Sequence, residues 1–128
     1  MTAATELLAR LNAAVTEGDP YQFAGELQTV INTCRNWAAA ENWAAFRPLA
    51  DALDDLLEER SQQAASDAAL FALVTLARQV CVVLALLGDA GGERDTGYFR
   101  ASMAHARRLD AMTEGKLRLV ELVDMAGG

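Results

Sequence analysis

The sequence predicts an all-α protein, folded as a compact up-down bundle of four to five helices. Three observations predict it. Apolar residues recur at spacings of three and four over long stretches, the mark of one-sided helices. The 52% hydrophobic content is rich in alanine, which favours helix and lets helices approach closely while adding little apolar area per residue. Glycine, proline, aspartate and asparagine fall between the periodic stretches, where helices stop and start. Residues 1–126 read as a single helical domain, because two separate cores within 128 residues would each be unusually small. Gly127-Gly128 reads as a flexible glycine tail or a cut inside a longer protein.

The first helix is expected from about Thr5 to Thr16, with Leu7, Leu8, Leu11, Ala14 and Val15 as its apolar stripe. Gly18-Asp19-Pro20 is a joint: Gly18 ends one helix, Asp19 caps the next and Pro20 suits its first position. The second helix runs from Pro20 to about Ala40. It carries Phe23, Leu27, Val30, Ile31, Cys34, Trp37 and Ala38 at helical spacing, the cleanest amphipathic pattern in the chain. A break near Glu41-Asn42, with Asn42 as cap, is preferred over a continuous helix.

The third helix presents Trp43, Phe46, Leu49, Leu53, Leu56 and Leu57. Pro48 lacks a backbone donor and crowds the preceding turn. Either the helix begins near Arg47 after an irregular turn, or it bends there; Ser61-Gln62-Gln63 ends it. Ser66 or Asp67 caps a fourth helix that reaches Leu87. Apolar on most sides, with only Asp67, Thr75, Arg78 and Gln79 as a polar strip, it must be central or lie in a subunit interface. Gly88-Asp89-Ala90-Gly91-Gly92 is expected to be a flexible loop; it lacks the lysine, hydroxyl and preceding strand of a phosphate-binding loop. The last helix runs from Asp95 or Thr96 to Met125, with an interruption near Gly115 as an alternative. Phe99, Met103, Ala106, Leu109, Leu117 and Val120 form its inner face.

Eighteen acidic and eleven basic residues give a net charge of −7. Residues 1–64 hold ten acids and four bases, net −6, whereas 65–128 hold eight acids and seven bases, net −1. Such a chain is repelled by nucleic acid and anionic membranes at long range, so a nucleic-acid partner is not expected. Cys34 and Cys81 match no metal spacing and fall on apolar faces, which reads as buried free thiols. The start MTAATELLARL has no basic region followed by an apolar stretch, and Arg78 and Gln79 interrupt the most apolar segment. The expectation is a cytoplasmic protein with no membrane span.

No catalytic or cofactor signature emerges, and no cofactor is expected. The single histidine, His105, follows Ser102 by three residues, so the Glu-x-x-His pair of helical carboxylate metal sites is absent. Pairing His105 with either thiol would need a buried cysteine to act as nucleophile. Two charged stripes stand out instead. Asp51, Asp54, Asp55, Glu58 and Glu59 form an acidic run whose members four apart repel one another. It reads as a solvated face or as a docking stripe for a basic partner or for the last helix. Arg100, Arg107 and Arg118 form a stripe on the last helix, in part neutralised by Asp110 and Glu114, and Tyr98 offers a half-exposed aromatic edge. The leading expectation is a non-enzymatic adaptor or regulatory domain that binds another protein or a neighbouring domain. Its partner-binding candidates are Asp51, Asp54, Asp55, Glu58, Tyr98, Arg100, Arg107 and Arg118. Surplus apolar area on the fourth and last helices suggests a homodimer. The alternative is a small helical enzyme or ligand-binding protein, with a pocket of Thr75, Arg78, Gln79 and His105 beside the fourth helix.

Overall fold

Capping chemistry sets most of the helix boundaries. A computed structural model describes residues 3–127, and it is all-helical there, with no strand among the described residues. Helix α1 spans Ala3–Glu17 and ends at Gly18, whose φ of +68° closes the turn. Asp19 then accepts a hydrogen bond from the Gln22 backbone N–H at 3.1 Å and starts α2, Pro20–Ala39, with Pro20 at its first position. Asp67 does the same for the Leu70 N–H and opens α4, Ala68–Ala90. Thr96 caps α5, Gly97–Met112, through the Phe99 N–H. Of the two candidates at the fourth helix, Ser66 turns back to the Gln63 carbonyl and leaves the cap to Asp67.

The break after α2 falls where expected, but Asn42 makes no side-chain cap. One turn of 3-10 helix, Trp43–Ala45, precedes α3, Phe46–Ala64. Pro48 therefore sits in the first turn of α3, where its missing donor has no partner to lose. Phe46 is fully buried between the two indoles, 6.0 Å from Trp37 edge-on and 5.4 Å from Trp43.

Two expectations are corrected. Residues 88 to 90 are not a loop: α4 continues through Gly88 and stops only at Gly91, in the left-handed conformation. The reason is packing, because a side chain at Gly88 would meet the Arg47 backbone nitrogen at 2.9 Å and Phe46 Cβ at 3.0 Å. Glycine there lets α3 and α4 touch. Nor does one helix run to Met125; the alternative, an interruption near Gly115, is what forms. After Met112 the chain turns through Glu114 (φ +56°), Gly115 (φ +76°) and Arg118 (φ +55°) into a short helix α6, Leu119–Val123. The turn is held by Asp110, whose carboxylate accepts the Leu119 and Val120 N–H groups at 2.8 and 3.0 Å. Arg35 also donates to the Leu117 and Arg118 carbonyls, at 3.1 and 3.0 Å.

The five long helices alternate in direction. Arg60 meets Asn12, so α1 and α3 run parallel; Arg78 meets Asp54 and Ser102 meets Val83, so α4 runs against both α3 and α5. Helix α4 lies between α3 and α5, with α2 across its inner side, and α1 rests on α2 and α3. Its Leu70, Val74, Val80, Val83, Leu84 and Leu87 are buried beside Phe23, Leu27 and Ile31 of α2 and Leu53 and Leu57 of α3. Each such side chain contributes about 1.5–3 kcal/mol by leaving water. Small residues set the spacing: Ala50, Ala77 and Ala106 are buried, and the buried Ser102 satisfies its hydroxyl on the Val83 carbonyl at 2.9 Å. The last turn of the chain closes over the start of α5, where Arg94 donates to the Asp124 and Ala126 carbonyls and pairs with the Asp124 carboxylate. Gly127 packs against Arg94, whose carbons leave no room for a Cβ; Gly128 lies outside the described residues.

Gly88→Ala is expected to destabilise the protein by about 1–3 kcal/mol in urea unfolding, the cost of overpacking a tight helix contact. Gly25→Ala, in open space on α2, should instead be neutral or stabilising by about 0.5–1 kcal/mol. Asp110→Ala should cost about 1–2 kcal/mol, as for loss of a helix cap. Amide exchange should quicken first across residues 117–126.

Candidate interaction surface

Three helices side by side leave one stripe of α4 facing water. Phe71, Thr75, Arg78 and Val82 follow one another at spacings of four, three and four, so they share a face. Phe71 is 45% and Val82 42% exposed, unusual for apolar residues on the most apolar helix of the chain. On one side, α3 presents Asp51, Asp54, Glu58 and Ser61 at the matching spacing. On the other, α5 presents Tyr98, His105 and Arg108, with Tyr98 53% exposed.

Polar contacts stitch this face together. Arg78 Nε donates to Asp54 Oδ1 at 3.1 Å across the α3–α4 seam. Arg108 donates to Gln79 Oε1 at 2.9 Å across the α4–α5 seam and lies 3.1 Å from His105 Nδ1, which acts as acceptor because a guanidinium has only donors. Thr75, Arg78 and Gln79 do line one depression with Ser61, Phe71 and Val74, of about 390 Å³. His105 reaches it only through Arg108. The depression is open to solvent, not an enclosed pocket, and a smaller one of about 130 Å³ lies between Asp51, Asp54, Arg78 and Val82.

The acidic run does not meet the last helix. Asp51 pairs with Arg47 four residues earlier, Arg47 also reaches Asp89 of α4, and Asp54 pairs with Arg78. Asp55 and Glu58 are exposed and make no ion pair among the described residues. The basic stripe is split. Arg100 and Arg107 lie two turns apart on the flank of α5 turned away from His105 and Arg108, at 100° per residue. Arg118 is off that helix altogether and pairs with Glu121, while Asp110 serves the α6 backbone in place of Arg107. Phe71 and Val82 are the contributors that sequence reasoning passed over. The expected polar strip of the fourth helix already held Thr75 and Arg78, and Phe71 and Val82 continue its spacing.

Both thiols are buried. Burial pushes Cys34 up to about 12, against a small opposing effect of the Arg35 charge. Cys81 rises to about 12 for the same reason, helped by the Asp54 charge and opposed by Arg78. Thiols held neutral and covered are poor nucleophiles. Among the described residues, no group of three or more His, Cys, Asp or Glu side chains is arranged to hold a metal ion. Helix α4 is long and apolar enough to cross a membrane, with a mean hydropathy of 2.3 over its most apolar stretch. In this fold, three neighbouring helices cover much of it and Arg78 is paired. No family model, curated protein or solved structure matches the chain.

The buried thiols should react slowly with iodoacetamide at pH 8 and fully once the chain is unfolded in urea. Their raised values also fix a pH trend. Below the ordinary thiol value of 9.0 both states carry the proton, so the contribution to stability is complete; between 9.0 and about 12 only the unfolded state loses it, and stability falls as pH rises. Urea unfolding followed across that range measures the slope, and replacing both cysteines by alanine should flatten it.

Proposed function

We propose that this chain is a non-enzymatic interaction domain, and that its outer α3–α4–α5 face receives a basic amphipathic helix of another protein. The observation that carries this reading is the pair Phe71 and Val82, exposed on one stripe and bordered on the α3 side by acids. Apolar side chains on an interface centre supply affinity by excluding water, while flanking charge sets orientation and partner choice. The acidic side is open for a partner, since Asp55 and Glu58 are not engaged within the fold and the first half of the chain carries a net charge of −6. Arg108 and His105 on the α5 side would favour an acidic residue at the opposite edge of the same helix, giving it one direction. Tyr98 adds a half-exposed ring at the end of the seam, an amphipathic group suited to an interface.

A fluorescent synthetic helix, with leucines along one face and lysines along the other, serves as the probe. Its binding should weaken at least tenfold, or about 1.4 kcal/mol, with Val82→Asp and with the double reversal Asp55→Lys, Glu58→Lys. Both sites are exposed, so circular dichroism should be unchanged. Raising salt should weaken the wild-type complex. Equal binding of a helix of scrambled order, or of both variants, would remove this assignment.

A further inference from the structure

On the far side of α4 from Phe71 and Val82, a second surface is left uncovered, and its origin is the shortness of α6. The segment after α5 runs beside the C-terminal half of α2: Arg35 holds the Leu117 and Arg118 carbonyls, and Asp124 and Met125 line one depression with Ala38 and Ala39. With only five residues in α6, the segment after α5 does not extend along the first half of α2, which packs against α1 and α4 on its other sides. What remains is an apolar groove of about 480 Å³ between Leu27 of α2, Leu73 and Leu76 of α4, and Met112 and Leu117. One strongly exposed apolar side chain, Met112, stands on its rim. Met112 is 65% exposed, and Tyr21, 91% exposed, lies one turn before Ala24 in the groove wall.

We infer that this groove is a homodimer surface, closed by the same groove of a second copy across a twofold axis. The charge pattern on one rim points to that occupant. Glu114 and Lys116, the only lysine in the chain, both line the groove, and neither makes an ion pair among the described residues. In a twofold contact, residue i of one copy meets j of the other while j meets i, so adjacent opposite charges near the axis satisfy each other twice. A same-sign rim could not do this. The backbone of this rim is hydrogen-bonded within the turn. The Gly115 N–H donates to the Asp110 carbonyl at 2.7 Å and the Lys116 N–H to the Thr113 carbonyl at 3.1 Å, so the backbone that carries the two charges is already set. Protruding Met112 beside a recess gives each copy both a projection and a receptor for it.

This inference does not rest on the adaptor reading, because the two surfaces share no residue. Sedimentation velocity on the full chain, at concentrations rising to about 500 µM, should show a monomer–dimer equilibrium. Met112→Asp and Lys116→Glu should each weaken dimerisation at least tenfold with helix content unchanged. Combining Lys116→Glu with Glu114→Lys, which exchanges the charges, should restore it to near the wild-type value. A zero-length carboxyl–amine cross-linker should join Lys116 of one isotopically labelled copy to Glu114 of an unlabelled one. Monomer alone throughout the range, a dimer indifferent to both single variants, or failure of the charge exchange to rescue would each overturn the proposal.

Discussion

One helix with almost no polar side must be hidden, and the rest of the molecule is arranged to hide it. Helix α4 carries apolar groups around most of its circumference, so no single neighbour can shelter it. Three do: α3 and α5 flank it and α2 lies across it. Close approach on the α3 flank depends on Gly88, which lets the backbones meet at Arg47. On the α5 flank it depends on Ser102, whose hydroxyl is satisfied within the contact. The wide reach of α4 also explains the residual stripe of Phe71 and Val82, since helices packed in a row leave a line of each one in water.

Charge plays a different part in this fold. The net charge is strongly negative, yet several arginines are spent locally, as clamps on backbone or as bridges across a helix seam. Arg35 and Arg94 grip carbonyl groups of the C-terminal segment, and Asp110 grips its N–H groups. These contacts fix a turn containing two non-glycine residues in the left-handed region, a conformation that costs of order 1–3 kcal/mol each unless the surroundings enforce it. The result is a five-residue helix that fills only part of the channel beside α2. A stripe that looks continuous in sequence, from Arg100 to Arg118, is broken by the same turn.

The consequence is two unlike surfaces on opposite sides of α4. One mixes apolar, acidic and basic groups in ordered lanes, which suits selection of a partner by charge. The other is a more apolar recess with a single pair of opposite charges on its rim, which suits contact with its own copy. Local pattern made the ingredients of the first visible: the acidic run, Tyr98 and the polar strip at Thr75, Arg78 and Gln79 are all periodic features. It did not reveal that Arg108 links Gln79 to His105, or that Arg78 reaches Asp54, because those contacts join residues 24 to 29 positions apart.

Read alone, the sequence determined that the chain is helical, where α2 and α4 begin, and which residues form the core. These properties follow from period and from short-range capping, as at Asp19 and Asp67, where the bonding partner is three residues away. Tertiary structure alone decided that Gly88 lies inside a helix, which of the two readings of the last helix holds, and which flank of α5 faces α4. Each of these turns on a neighbour distant in sequence: a glycine continues a helix when a second backbone presses against it, and a turn in the left-handed region persists when Asp110 and Arg35 hold it.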